Sequence, residues 1–149
     1  STFDTYSHIG PWQNFEKAIR RAAFFMEKGG VFLFDLNTPY KNRQVLGENL
    51  FTFEGPDASC RWQNHYLAEE QSVEISIDIH YNDTDEDFHE QFKEYSYELQ
   101  QVTQVLEKYG FAVQSVEDGE SFGALQPDSQ RFIFTCIKQY TQEGADQHE

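Results

Sequence analysis

An α/β fold interrupted by an antiparallel β insert is what this sequence predicts, on three observations. First, Val31-Phe32-Leu33-Phe34 is apolar without period-2 alternation, the pattern of a central strand covered on both faces in a parallel α/β sheet. Second, two amphipathic stretches with helical spacing lie before and after it, each followed by glycine. Third, residues 51–97 between them alternate apolar and polar side chains, as half-buried antiparallel strands do.

The bulk numbers set limits. The 149 residues suit one domain, and 14 Phe, 8 Tyr and 2 Trp favour a folded chain. With 26 acidic against 11 basic groups the formal charge is −15, a surface that repels phosphate backbones, so neither nucleic acid nor anionic membrane is an expected partner. No run reaches the apolar length of a membrane span, and the first residues lack the basic-then-apolar plan of a signal peptide. Cys60 and Cys136 fall outside any CxxC spacing. One disulfide is open to them, but two reduced, partly buried thiols in a cytoplasmic protein are the expectation.

Taken in order, residues 1–9 read as a loop, and Gly10-Pro11 introduces a helix with Pro11 in its first turn. Its apolar stripe is Phe15, Ile19, Ala22, Ala23 and Met26, with Lys17, Arg20, Arg21 and Lys28 mainly elsewhere and Gly29 as its C-terminal cap. The strand of residues 31–35 follows. Ligands of such sheets sit beyond the carboxyl ends of the strands, here Asp35, Leu36, Asn37 and Thr38, although Asp35 can equally be a cap for the next turn. Residues 40–50 suit a short helix ending near Gly47. Strands are expected over residues 61–67, 72–81 and 88–97, with Phe88 and Phe92 on the face of Tyr81 and Ile77 and an acidic turn at residues 82–87. The second helix carries Leu99, Val102, Val105, Leu106 and Tyr109 and stops at Gly110. Strands over residues 111–116 and 131–140 close the fold, and the polar tail from residue 141 is expected to fray. The domain plan is therefore 1–50 and 98–140 for the core, 51–97 for the insert and 141–149 for the tail.

The pieces KGGVFLFDLN, LGEN, LEKYGF and DSQRFIFTCIK, in that order, resemble the second half of a class I S-adenosylmethionine-dependent methyltransferase. The WQN and Tyr of residues 61–66 and the run FKEYSYEL resemble the small bacterial members with an antiparallel cap between the fifth strand and the next helix. The resemblance implies a partial Rossmann-like sheet (fifth to seventh strands) with an antiparallel β cap, S-adenosyl-L-methionine as cofactor and a small-molecule acceptor. The family's glycine-rich cofactor loop is not found: there is no GxGxG, and Gly29-Gly30 ends a helix before a strand, the reverse of the required order. The expectation is a fragment or natural half-domain starting just past the fourth strand. It would bind cofactor weakly or not at all alone, and one sheet face and one strand edge would be bare. Such an edge invites a homodimer, a strand swap, or association with the missing N-terminal half.

The same resemblance places residues 3–6 near the cofactor's methionine end. It gives Phe3 and Thr5 to the cofactor, Tyr6 to the acceptor, and Asp4 or His8 the part of base; a frayed terminus of ordinary polar residues is the plainer alternative. Asn37-Thr38-Pro39-Tyr40 superficially resembles the Asn-Pro-Pro-Tyr turn of amino-group methyltransferases. It follows the wrong strand, so Asn37 and Tyr40 are acceptor candidates beside a structural-turn reading. Trp62, Asn64 and Tyr66 share one strand face, and Trp62 and Tyr66 would suit a cap over a small acceptor or, equally, a core or dimer face. Arg131 can hold a substrate carboxylate or pair with Asp128 or Glu117. Asp83, Asp85, Asp87 and Glu94 match calcium-loop positions, but Phe88 stands where glycine is required, and His80 and His89 facing each other across the hairpin would not complete a zinc site. No metal is expected.

Overall fold

The computed structural model describes residues 6–140. Phe15, Ile19 and Ala23 form the buried stripe of helix α1, Trp12–Phe25. Pro11 stands at the N-cap, outside the first turn, and the helix ends at Phe25, before the expected glycine. Met26 is already extended there (φ −100°, ψ 137°). Gly29, at φ +89°, instead turns the chain into the sheet and donates its N–H to the Lys138 carbonyl at 2.7 Å.

Strands β1 (Val31–Asn37), β6 (Phe111–Asp118) and β7 (Arg131–Lys138) form one sheet in the order β1-β7-β6. Both pairings are antiparallel, so β1 and β6 run the same way with the last strand reversed between them. Phe34 of β1 stacks on Phe134 of β7, centroids 4.9 Å apart and planes at 9°, at the centre of the core. One expectation fails here. β1 alternates: Phe32, Phe34 and Leu36 are buried beneath the helices, whereas Val31 and Leu33 are 62% and 51% exposed. Both helices lie on one side of the sheet, so among the described residues an apolar run written for two covered faces has a cover on only one. Among the described residues β1 also pairs along one edge only.

Helix α2, Leu99–Lys108, buries Val102, Val105 and Leu106. Gly110 ends it at φ +90°, where a Cβ would come within 2.6 Å of the Tyr140 carbonyl oxygen. β7 places Phe132, Phe134 and Cys136 on the core face, and the next residue of that parity is Lys138, only 2% exposed. Its Nζ donates to the carbonyls of Ala23 (2.8 Å) and Tyr109 (3.4 Å), at the C-terminal ends of α1 and α2, and lies 5.4 Å from the Phe111 ring centre. A cation thus sits where two helix dipoles are negative.

The insert is a second sheet, an antiparallel meander of β2 (Asn49–Glu54), β3 (Ala58–Leu67), β4 (Ser72–Tyr81) and β5 (Glu86–Tyr95). β2 has no counterpart in the sequence reading, because an edge strand exposed along nearly its whole length shows no burial alternation. Before it, Lys41–Leu46 forms a π-helical turn closed by Gly47, whose N–H meets the Asn42 carbonyl at 2.8 Å. The register pairs Ile75 with Phe92 and Ile79 with Phe88, so the four apolar positions expected to share a face do so. His80 and His89 do not face each other. Each stands opposite an aspartate, His80 with Asp87 at 2.7 Å and His89 with Asp78 at 2.6 Å.

Candidate functional site

The carboxyl end of β1 is where the core sheet meets the cap. Asn37, the last residue of β1, is fully buried there. Its backbone N–H donates to Ser7 Oγ at 3.0 Å, and its Nδ2 donates to Asn42 Oδ1 at 3.3 Å and to Glu94 Oε2 at 3.1 Å. Its Oδ1 accepts from Lys41 Nζ at 3.4 Å. Asn42 Nδ2 in turn donates to the Glu94 carbonyl at 3.1 Å. Thr38 ties the turn to the loop before β7, its hydroxyl donating to the Ser129 carbonyl at 2.6 Å. The end of β1 and the π-turn just after it are thereby joined to the distant cap strand β5 and to the loop before β7. The wider π-turn brings Lys41 and Asn42 to the strand end within one turn, a use typical of such turns at functional sites.

His8 lies over this cluster. Its Nδ1 is 3.3 Å from the Lys93 carbonyl, its Nε2 is 3.9 Å from Glu94 Oε1, and its ring meets Phe92 edge-on at 5.7 Å. A carbonyl only accepts, so this contact assigns a proton to Nδ1 and leaves the Nε2 lone pair of the neutral ring beside a carboxylate. The arrangement can take a proton at Nε2 and balance the resulting positive charge.

Of the residues singled out from sequence, His8 and Asn37 are brought together through Glu94. Phe3, Asp4 and Thr5 lie outside the described residues. Tyr6 packs its ring against Phe32 and Phe34 at 5.9 and 5.2 Å, and burial holds its hydroxyl pKa above the usual value. Tyr40 caps the start of the π-turn. Trp62 is on the outer part of the cap, its Nε1 donating to Asn64 Oδ1 at 2.6 Å. Tyr66 stands two strands from Glu94 on the same cap face. Arg131 pairs with Asp35 at 3.3 Å, a carboxylate the sequence reading did not name, the two lying diagonally across the β1–β7 ladder. Glu94 is seven residues along β5 from Asp87, roughly 23 Å at strand rise, so it cannot close a calcium loop with the hairpin aspartates. Among the described residues no group of three or more His, Cys, Asp or Glu side chains could hold a metal ion. Glu94 and Asn42 were not anticipated at the site. The available signal was Glu94 itself, a carboxylate with the strand parity of Phe88 and Phe92.

No family model matches the sequence. A Geobacillus sp. (strain WCH70) protein named as a methyltransferase is 23% identical over 138 residues, which are 91% of this chain and 56% of the relative. An S-adenosylmethionine-dependent methyltransferase from Clostridium acetobutylicum ATCC 824 superposes with a TM-score of 0.81 at 22% identity, over 93% of this chain and 56% of that one. The CcbJ methyltransferase from Streptomyces caelestis gives 0.76 at 12% identity, over 93% and 55%. The sugar N-methyltransferase KedS8 from Streptoalloteichus sp. ATCC 53650 gives 0.62 at 14% identity, over 93% and 54%. The chain spans about half the length of each of these relatives. With β1, β7 and β6 standing as the fifth, seventh and sixth strands and the meander as the cap, it has the fold of the C-terminal half of a class I S-adenosylmethionine-dependent methyltransferase.

Proposed function

We propose that this chain forms the acceptor side of a methyltransferase that uses S-adenosylmethionine and acts on a small molecule. The observation that carries the reading is the His8–Glu94–Asn37 cluster, which joins cap and core beyond the carboxyl end of a sheet strand, where α/β folds bind ligands. The names of neighbours such as KedS8 favour an amine as the methylated group.

The cofactor supplies the methyl group when bound. The described residues make no cradle for its nucleoside. Gly29 and Gly30 give their N–H groups to the carbonyls of Lys138 (2.7 Å) and Glu27 (3.0 Å), so the paired glycines leave no donor for an anion. Cofactor binding rests with the portion of the fold that this chain does not match, and with residues 3–5 by resemblance. What the chain contributes is positioning and proton removal. Asn37 and Asn42 fix the Glu94 strand against the site. Glu94 sets the charge beside His8, and His8 Nε2 accepts the proton that the acceptor's nucleophile gives up. Asp4 is the other base candidate, and Tyr40, Trp62, Tyr66 and Arg131 remain acceptor-side candidates by resemblance.

Isothermal titration tests this. The chain alone is expected to give no heat with S-adenosylmethionine. The chain co-expressed with the unmatched portion of the C. acetobutylicum methyltransferase is expected to bind. Absence of heat in both ends the enzyme reading.

The second reading, a dimerising module without catalysis, has its own observation. Phe51, Phe53, Trp62, Tyr81 and Phe88 share one cap face and are between 37% and 68% exposed. At about 200 Å² per aromatic side chain they offer about 500 Å² per copy. Two copies would bury about 1,000 Å², near the lower bound for a specific interface. We expect light scattering to give about twice the 17.5 kDa chain mass, and the double variant Phe51→Glu, Phe88→Glu to return a monomer. A monomeric parent chain would dispose of the dimer. The cytoplasmic placement is likewise a proposal, supported by two free thiols. Burial pushes that of Cys136 up to about 12.

A further inference from the structure

Two opposite charges stand on either side of Asn37 without meeting. Its side-chain amide turns Oδ1 to Lys41 Nζ at 3.4 Å and Nδ2 to Glu94 Oε2 at 3.1 Å. That orientation follows from chemistry, since an ammonium only donates and a carboxylate only accepts. Asn37 is not free to swing aside and let the two charges close. It is fully buried, its N–H is held by Ser7 Oγ at 3.0 Å, and its Nδ2 also reaches Asn42 Oδ1. Lys41 is fixed through its own backbone, whose N–H donates to Thr38 Oγ1 at 3.0 Å. The amide is therefore a spacer that holds a cation and an anion apart.

Neither charge is used up. Glu94 gives Oε2 to Asn37, while its Oε1 faces His8 Nε2 across 3.9 Å, longer than a hydrogen bond. A ligand nitrogen carrying several N–H groups fits between the two and donates to both. Lys41 is partly buried and spends one N–H on Asn37, which leaves two to give. Among the described residues it has no carboxylate partner, although acidic groups outnumber basic ones 26 to 11 in this chain. Lys93 and Lys108 have each found a glutamate at 2.7 Å. A lysine kept from every described carboxylate in so acidic a chain, beside the proton-accepting pair, is a seat for an anion brought from outside.

We propose that the acceptor is a small zwitterion, an amine that also bears an acidic group. Its ammonium lies between Glu94 Oε1 and His8 Nε2, and its carboxylate or phosphate lies on Lys41. The proposal rests on the acceptor-side reading of this cluster and adds the second charge of the substrate. The ammonium docks on Glu94 and gives one proton to His8 Nε2, which frees the nitrogen lone pair for the transfer. Lys41 has no part in that proton transfer. It selects the substrate, because an amine without the acidic group leaves the lysine unanswered.

The probes are ω-amino acids of two to five carbons, glycine to 5-aminopentanoate, titrated into the isotope-labelled chain with n-butylamine and butyrate as single-charge controls. The series samples the spacing between the two charges, and chemical-shift changes at the Asn37 side-chain amide and the Lys41 backbone report the site. One member is expected to bind roughly tenfold tighter than either control, the worth of one charge-assisted contact. Lys41→Met is expected to erase that preference and leave n-butylamine binding as in the parent. Lys41→Arg is expected to keep it, with the thermal midpoint unchanged in both variants. O-phosphoethanolamine bound tighter than every amino acid of the series supports the same site with phosphate as the anion. Zwitterions bound no better than n-butylamine overturn the proposal and leave the amine and base reading intact. A preference that survives Lys41→Met overturns it as well. No binding of any probe also overturns it, and heat with S-adenosylmethionine from the co-expressed pair then judges the enzyme reading separately.

Discussion

Replacing Lys138 with methionine lowers the unfolding free energy of the chain by about 3 kcal/mol, read as a fall in the urea midpoint at unchanged slope. Methionine matches the length and apolar stem of lysine, so the volume of the site is nearly conserved and little of the loss comes from a cavity. What disappears is the donor for two helix-terminal carbonyls, Ala23 and Tyr109, and the cation over the Phe111 ring. The Ala23 carbonyl keeps the Met26 N–H at 3.3 Å, but the Tyr109 carbonyl loses its Lys138 donor at a cost of about 1–3 kcal/mol, and the favourable placement at two dipole ends is lost as well. Desolvating the ammonium opposes this, since buried charges are often replaced by apolar groups at no loss. The carbonyls decide the sign, because they stay polar and buried whichever side chain stands at position 138. A variant as stable as the parent would show that desolvation cancels those contacts in full.

In the methyltransferase proposed above, assembled from this chain and the complementary portion, His8→Ala is expected to lower kcat by roughly 10²–10⁴-fold, the range for loss of a positioned base. The side chain is exposed over the cluster, so the thermal midpoint should hardly move. Glu94→Gln keeps the acceptor for Asn37 but removes the charge beside Nε2, and is expected to cost less, about tenfold, mainly in kcat. If kcat survives His8→Ala and only KM rises, His8 is a binding residue. The base must then be sought elsewhere, with Asp4 the first candidate.

The elements legible in the sequence were those whose side chains see two different environments. The stripe of α1, the glycine stop of α2 and the alternation of β4 follow from burial on one side only. β2 was invisible because its six residues lie at an edge, with little difference between their two faces. β1 differs from its sequence reading for a related reason: Val31 and Leu33 are as apolar as the buried residues beside them, yet among the described residues they stay more than half exposed. At the site, the strand-end rule located Asn37 from sequence alone. Glu94 was missed because its role depends on β5 folding back across about 57 residues, and no local pattern reports which strand of a cap returns to the core. The Arg131–Asp35 pair is hidden from the sequence for the same reason, since a diagonal neighbour is known only once the register is fixed.

Of the three core strands, the one made last occupies the middle of the sheet. Until residues 131–138 have emerged, Phe32 and Phe34 on one side and Phe111 on the other have no backbone to bridge them, and the two helices have no completed floor to settle on. A growing polypeptide of this kind therefore holds much of its aromatic core open to water until that strand has been made. Such an exposed intermediate is what chaperones retain and what aggregates when they are scarce. Loss of only the final strand would leave two separated ribbons where the sheet had been.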